Sequence, residues 1–209
     1  MDRVFENNKV TIAGTIVSDF RFSHEVFGEG FYMVDAEVPR LSGASDFIPV
    51  MVSERMINVR ENHIGDVVRV RGQFRSFNRR EENRNHLVLS VFAREVEFID
   101  EKQKDLEYNE IFLDGYICKE PVYRKTPLGR EITDVLLAVN RTYGKTDYIP
   151  CITWERNARF ASGFELGTHV IINGRIQSRA YKKRISDEEV DNRTAYEVSV
   201  SQIEVVEVE

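Results

Sequence analysis

The chain repeats itself. Asn8-Lys9-Val10-Thr11-Ile12-Ala13-Gly14 lies over Asn109-Glu110-Ile111-Phe112-Leu113-Asp114-Gly115, and Asp46-Phe47-Ile48-Pro49-Val50 lies over Asp147-Tyr148-Ile149-Pro150-Cys151, both displaced by 101 positions (109 − 8 and 147 − 46). Further on, Val70-Arg71-Gly72-Gln73 matches Ile172-Asn173-Gly174-Arg175 at a displacement of 102 (172 − 70), so a single-residue indel separates the two registers. Self-similarity at a fixed period constrains a fold more than any local pattern does, because each repeat must be one structural unit. The join falls in Asp100-Glu101-Lys102-Gln103-Lys104-Asp105-Leu106-Glu107, charged and without apolar periodicity. The repeat therefore predicts a first domain over 1–100, a linker over 101–108 and a second domain over 109–209. A chain of 209 residues with 42% hydrophobic content can fill two cores of about a hundred residues each.

Within each unit apolar residues alternate with period two and are rich in Val, Ile, Phe and Tyr, the pattern of half-buried strands. Residues 9–17, 31–38, 47–52, 67–77 and 87–99 read as five strands, repeated in the second unit. The stretch between strands three and four is the one that can be helical; in the second unit it covers about 156–164, before Gly167. Five strands with a short helix between the third and fourth is the plan of the OB fold, a partly open Greek-key barrel. The fold class expected is all-β, two tandem five-stranded OB barrels with one short helix in each.

Net charge is −6, which argues against a polyanionic partner until its distribution is read. Residues 69–84 hold Arg69, Arg71, Arg75, Arg79, Arg80 and Arg84 against Glu81 and Glu82, and residues 175–184 hold five basic residues and no acid. Two basic patches sit on an acidic body. Period two places Tyr148, Ile152 and Trp154 on one face of the third strand of the second unit, opposite Ile149, Cys151 and Thr153. The same parity turns Ile48, Val50 and Val52 inward in the first unit and leaves Phe47, Met51 and Ser53 outward, a weaker face because Ser53 stands where Trp154 does. On the fourth strand Arg175, Gln177, Arg179 and Tyr181 share a face, as do Gln73, Arg75, Phe77 and Arg79. Guanidinium groups thus alternate with rings, which suits unpaired nucleic-acid strands, since every base has a π face and every nucleotide a phosphate. Arg141, and Arg40 at its counterpart, are further candidate phosphate contacts. The polar stretches 79–85 and 182–189, including Lys182 and Lys183, read as the loops after the fourth strand, which in OB folds guide a bound backbone.

The second unit carries Leu137-Ala138-Val139-Asn140-Arg141-Thr142, then Asp147-Tyr148-Ile149-Pro150-Cys151-Ile152-Thr153-Trp154, then Asn173-Gly174-Arg175-Ile176-Gln177-Ser178-Arg179-Ala180-Tyr181. In order and spacing these segments resemble those of the bacterial single-stranded-DNA-binding proteins, over nearly all of 109–209. The first unit is joined to that family mainly through its sister. The resemblance implies base stacking on Tyr148, Trp154 and Tyr181, with Phe47 carried over in the first unit. Phe77 falls opposite Arg179, and Arg79 opposite Tyr181. It implies sequence-independent binding of single-stranded DNA in replication, recombination or repair, and a homodimer that presents four OB folds; RNA stays open as a partner because nothing in the sequence reads a 2′-hydroxyl. The family's flexible tail with an acidic tip has no counterpart before Glu209, so recruitment of other proteins through such a tail is not expected.

The chain's other features point away from further chemistry. Cys118 and Cys151 form no CxxC or Cys/His cluster, so no disulfide framework or metal is indicated. His24, His63, His86 and His169 are spread out with no carboxylate partner in view, and the glycines form no phosphate-binding motif. No cofactor and no enzymatic activity are expected. No apolar run approaches the roughly 18 residues of a membrane span, and the start, Met1-Asp2-Arg3-Val4-Phe5, lacks the pattern of a secretory signal, so a cytoplasmic location without membrane contact is expected. The alternative function is an assembly factor like the primosomal OB-fold proteins, whose barrel faces serve protein contacts.

Overall fold

The structure, a computed structural model, describes residues 7–81, 84–100, 109–184 and 190–207; the side chains of 79–86 and 182–191 lie outside the description, as does the expected linker 101–108. The first half holds β1 (Asn8–Ile16), β2 (Arg21–Val26), β3 (Glu29–Pro39), β4 (Ser45–Ser53), β5 (Val67–Glu81) and β6 (Arg84–Phe98). The second holds β7 (Asn109–Ile117), β8 (Val122–Lys125), β9 (Glu131–Asn140), β10 (Thr146–Trp154), helix α1 (Arg156–Ala161), β11 (His169–Arg184) and β12 (Val190–Val205).

Each half closes as the OB plan requires. In the first, β1 pairs with β3 and β5, β3 with β4, β5 with β6, and β4 with β6 in parallel through Val50↔Val91 and Met51↔Phe92. The second repeats this, with β10 and β12 in parallel through Cys151↔Val198 and Ile152↔Ser199. Alternation decides what enters the barrels: Ile48, Val50 and Val52 are buried in one, Ile149, Cys151 and Thr153 in the other.

Three sequence expectations change. First, the short helix occurs in the second half only; residues 54–66 hold turns instead, with Met56 N–H on the Ser53 carbonyl and Glu61 N–H on that of Asn58. Second, β2 and β8 were not expected. Both are exposed along their whole length, so they bury no alternating residue that period two could reveal. Third, the described parts of the expected polar loops, 79–81, 84–85 and 182–184, are strand, while 82–83 and 185–189 lie outside the described residues. Pairing continues through Arg80↔Asn85 and Glu81↔Arg84 on one side and through Lys183↔Asp191 and Arg184↔Val190 on the other. A two-stranded ribbon satisfies its own backbone groups and accepts charge on both faces, so polarity alone did not mark a loop there.

Gly72 and Gly174, matched in the repeat, stand opposite β-bulges in β6 and β12, where Arg94 and Ser201 are the extra residues. A Cβ on Gly72 would fall onto the Phe92 carbonyl, and one on Gly174 onto that of Ser199. Beside each bulge an asparagine clamps the strand. Asn8 Nδ2 donates to the Phe74 carbonyl at 2.8 Å and Asn8 Oδ1 accepts from Phe74 N–H at 2.9 Å. Asn109 does the same to Ile176, at 2.7 and 2.8 Å.

The halves join edge to edge. β1 runs antiparallel to β7 in a register symmetric about Val10↔Ile111, from Asn8↔Leu113 to Ile12↔Asn109, making one 12-stranded sheet. Two buried carboxylates reinforce the seam. Asp46 Oδ1 accepts the Ser178 N–H of the other half at 2.7 Å, and Asp147 Oδ1 accepts the Ser76 N–H at 2.7 Å. The next residue along each strand adds a contact: Phe47 N–H donates to Ser178 Oγ at 3.0 Å, and Tyr148 N–H to Ser76 Oγ at 2.7 Å.

Because only a residue without Cβ fits against the facing carbonyl, Gly72→Ala is expected to lower stability by about 1–3 kcal/mol, the usual cost of overpacking. Gly163→Ala, whose Cβ would meet only the Phe160 carbonyl at 3.8 Å, is expected to stay within about 0.5 kcal/mol of the parent. Urea unfolding midpoints check both.

Candidate nucleic-acid interface

The outward side of the second barrel presents rings from two strands. Tyr148, at the start of β10, is 44% exposed and Tyr181, on β11, is 37% exposed. Trp154, at the end of β10, is half-buried, and its indole N–H donates to Ser199 Oγ at 3.1 Å, which fixes the ring against β12. Ile152, on the same face, is buried. Arg179 is exposed, stands 5.9 Å from the Tyr181 ring centroid, and forms a loose pair with Glu197 at 3.6 Å. This side therefore offers two accessible rings with a solvated guanidinium beside one of them, the groups that stacking and phosphate attraction need.

The first barrel's expected residues divide. Phe47 and Phe77 are exposed, and the seam contacts bring them near the other half: Phe47 N–H meets Ser178, and Phe77 follows Ser76. Met51 and Ser53 sit on the outward face but are covered, with the Ser53 hydroxyl donating to Glu29. The side chains of Arg79, Lys182 and Lys183 lie outside the described residues.

Three expected phosphate contacts are instead engaged at the seam. Arg40 Nε donates to Asp46 Oδ2 at 2.7 Å, and Arg175 Nη1 donates to the same oxygen at 3.1 Å. Arg141 Nη2 donates to Asp147 Oδ1 at 2.7 Å and to the Ser76 carbonyl at 3.0 Å. The hydrogen bond to Asp46 raises Arg40 above the ordinary guanidinium value, whereas burial lowers Arg175. Burial raises the Asp147 carboxyl despite the Ser76 N–H and the nearby Arg141 and Arg75. Arg75 is half-buried, donates to Gln73 Oε1 at 2.7 Å and lies 4.1 Å from the Phe92 ring centroid. Burial, then the neighbouring Arg94 and Arg141, push it down to about 10, so it stays charged at neutral pH.

Sequence reading passed over Phe31, Phe92 and Arg94 and gave His24 no binding role. In the structure His24 stacks on Phe31 at 5.1 Å with planes 9° apart, Phe31 on Phe92 at 5.7 Å and 27°, and the Arg94 guanidinium lies 5.1 Å from the Phe92 centroid. Alternation along β3 and β6 already put Phe31, Phe92 and Arg94 outward; only the pairing of β4 with β6 brings Phe92 to this position. Two histidines also have carboxylate partners that the sequence did not reveal, His63 with Asp66 at 2.8 Å and His169 with Asp114 at 2.6 Å. Among the described residues no group of three or more His, Cys, Asp or Glu could hold a metal.

The Single-strand binding protein family matches residues 108–206. Over 83 residues the chain is 35% identical to Single-stranded DNA-binding protein A of Bacillus subtilis (strain 168), a match covering 36% of this chain and 48% of that protein. Over 82 residues it is 33% identical to Single-stranded DNA-binding protein B of the same organism, covering 36% of this chain and 73% of that protein. The wild-type single-stranded DNA binding protein from Thermus aquaticus superposes with a TM-score of 0.73 at 18% identity, covering 97% of this chain and 94% of that one. That likeness extends the shared fold over both halves. The chain belongs to the single-strand binding protein family, and it spans about half the length of the first relatives it matches.

The geometry separates two arginines that look alike in sequence. Arg141→Ala strands a buried carboxylate and is expected to cost about 3–5 kcal/mol. Arg179→Ala removes an exposed guanidinium whose contact with Glu197 is long, and Glu197 keeps the hydrogen bond from Gln177, so the change is expected to cost about 1 kcal/mol or less. Chemical denaturation of the two variants measures the difference.

Proposed function

We propose that this chain binds single-stranded DNA without regard to sequence and protects it during replication, recombination or repair. The observation that carries the reading is the pair of accessible rings, Tyr148 and Tyr181, with Arg179 beside them, on the outward side of a barrel whose relatives are named single-stranded DNA-binding proteins. Rings take bases of any identity, and the guanidinium attracts the phosphates between them. Trp154 supplies a further aromatic edge, held in place by Ser199.

The same reading makes the protein a binding module and not an enzyme. Residues 1–100 and 109–209 act as two OB units on either side of 101–108, and a homodimer presents four of them. The free thiols of Cys118 and Cys151 fit a reducing cytoplasm. Among the described residues no helix is long and apolar enough to cross a membrane.

Trp154 is the chain's sole tryptophan and reports on this surface directly. Its emission is expected to quench with oligo(dT), to recover at high salt and to respond weakly to duplex DNA. Tyr148→Ala is expected to weaken oligo(dT) binding about 5- to 150-fold, the loss of one stacked base. If neither Trp154 emission nor the anisotropy of labelled oligo(dT) registers binding, the reading fails and the protein-assembly alternative takes its place.

A further inference from the structure

The two barrels carry their large rings in exchanged places. In the second, Trp154 on β10 lies against Ser199 on β12. In the first, the residue matching Trp154 is Ser53, buried and bonded to Glu29, and the residue matching Ser199 is Phe92. The ring has moved one strand across the sheet. It does not stand alone: Phe31 replaces the buried Ile132 of the sister barrel and stacks on Phe92, and exposed His24 stacks on Phe31. Three rings in near-parallel planes thus run across β2, β3 and β6. The buried apolar residues beside these rings have the opposite parity, Val34, Ala36 and Val38 on β3 and Leu89, Val91 and Ala93 on β6.

Positive charge gathers at the Phe92 end. Arg75 and Arg94 both lie over Phe92, and with Arg141 and Asp147 they line a recess of about 50 Å³ that also touches Asn8 and Asn140. Three arginines and one aspartate are among the residues that line it. The Nε atoms of Arg75 and Arg141 are buried without a hydrogen-bond partner, so these two guanidinium groups are not fully used by the protein around them.

We propose that the first barrel has a single-strand site of its own, in which a base stacks on the exposed His24 end of the His24–Phe31–Phe92 ladder and a phosphate further along the strand is drawn to Arg94 beside Phe92. It rests on the single-strand reading above and adds a second binding surface to it. Because this site replaces the Trp154-type position instead of copying it, the two barrels contact a strand through different strands of their sheets, and a long oligonucleotide can engage both.

The test uses the full chain and labelled oligo(dT) of about 30 nucleotides, long enough for two OB folds, followed by anisotropy. Phe92→Leu, which keeps apolar bulk but removes the ring, is expected to weaken binding about 5- to 150-fold. His24→Ala, at an exposed position where folding is not at stake, is expected to weaken it in the same direction. Arg94→Ala is expected to reduce the slope of log affinity against log salt by about 1. Parent-like affinity in both Phe92→Leu and His24→Ala would overturn the ladder while leaving the second barrel's function intact, and an unchanged salt slope in Arg94→Ala would overturn the phosphate contact. Absence of binding by the parent chain would instead remove the reading on which this one rests.

Discussion

Two buried carboxylates hold the arrangement together. Asp46 and Asp147 are almost wholly removed from solvent, and each accepts a backbone N–H from the opposite barrel as well as a guanidinium from its own. A charge in that position is costly unless every lone pair is used, and the upward shift of the Asp147 carboxyl shows burial outweighing its cationic neighbours. Such a contact contributes specificity more than net stability. It tolerates one register of β4 on β11 and of β10 on β5, and the antiparallel pairing of β1 with β7 then follows the same symmetry. The exposed rings take their places from it, since Phe47 and Tyr148 are the residues immediately after the two carboxylates.

Divergence between the halves is organised as exchange. Arg75 donates to Gln73 in one barrel, and Arg175 donates to Gln177 in the other, with the cation and the amide in swapped positions. The consequence differs on each side of the seam: Arg175 reaches Asp46 directly, while Arg75 turns to the Phe92 ring. Trp154 with Ser199 and Phe92 with Ser53 follow the same logic. An exchange of this kind preserves the volume and charge of a neighbourhood while moving the group that solvent meets, so one fold can carry two different surfaces.

The seam also decides which cations are available. Arg40, Arg141 and Arg175 are tied to carboxylates whose burial makes release expensive, whereas Arg179 is exposed and its contact with Glu197 is long. A count of basic residues along the chain treats these arginines alike. Their energetic roles differ because the first three are partly covered and held close to buried carboxylates, whereas Arg179 is exposed and stands 3.6 Å from Glu197, which Gln177 already satisfies.

The sequence by itself determined the repeat, the OB strand plan, the inward rows of β4 and β10, and the exposure of Phe47, Phe77, Tyr148 and Tyr181. All of these depend on neighbours along the chain or on the strict period of two, which a linear pattern records. Tertiary structure decided what depends on neighbours across strands. It assigned Arg40, Arg141 and Arg175 to the seam, built β2 and β8 from residues with no buried face, and assembled His24, Phe31, Phe92 and Arg94 from three strands. Phe92 reads as an ordinary strand residue until the parallel pairing of β4 with β6 sets it beside the place of the missing tryptophan, and no spacing within β6 encodes that pairing.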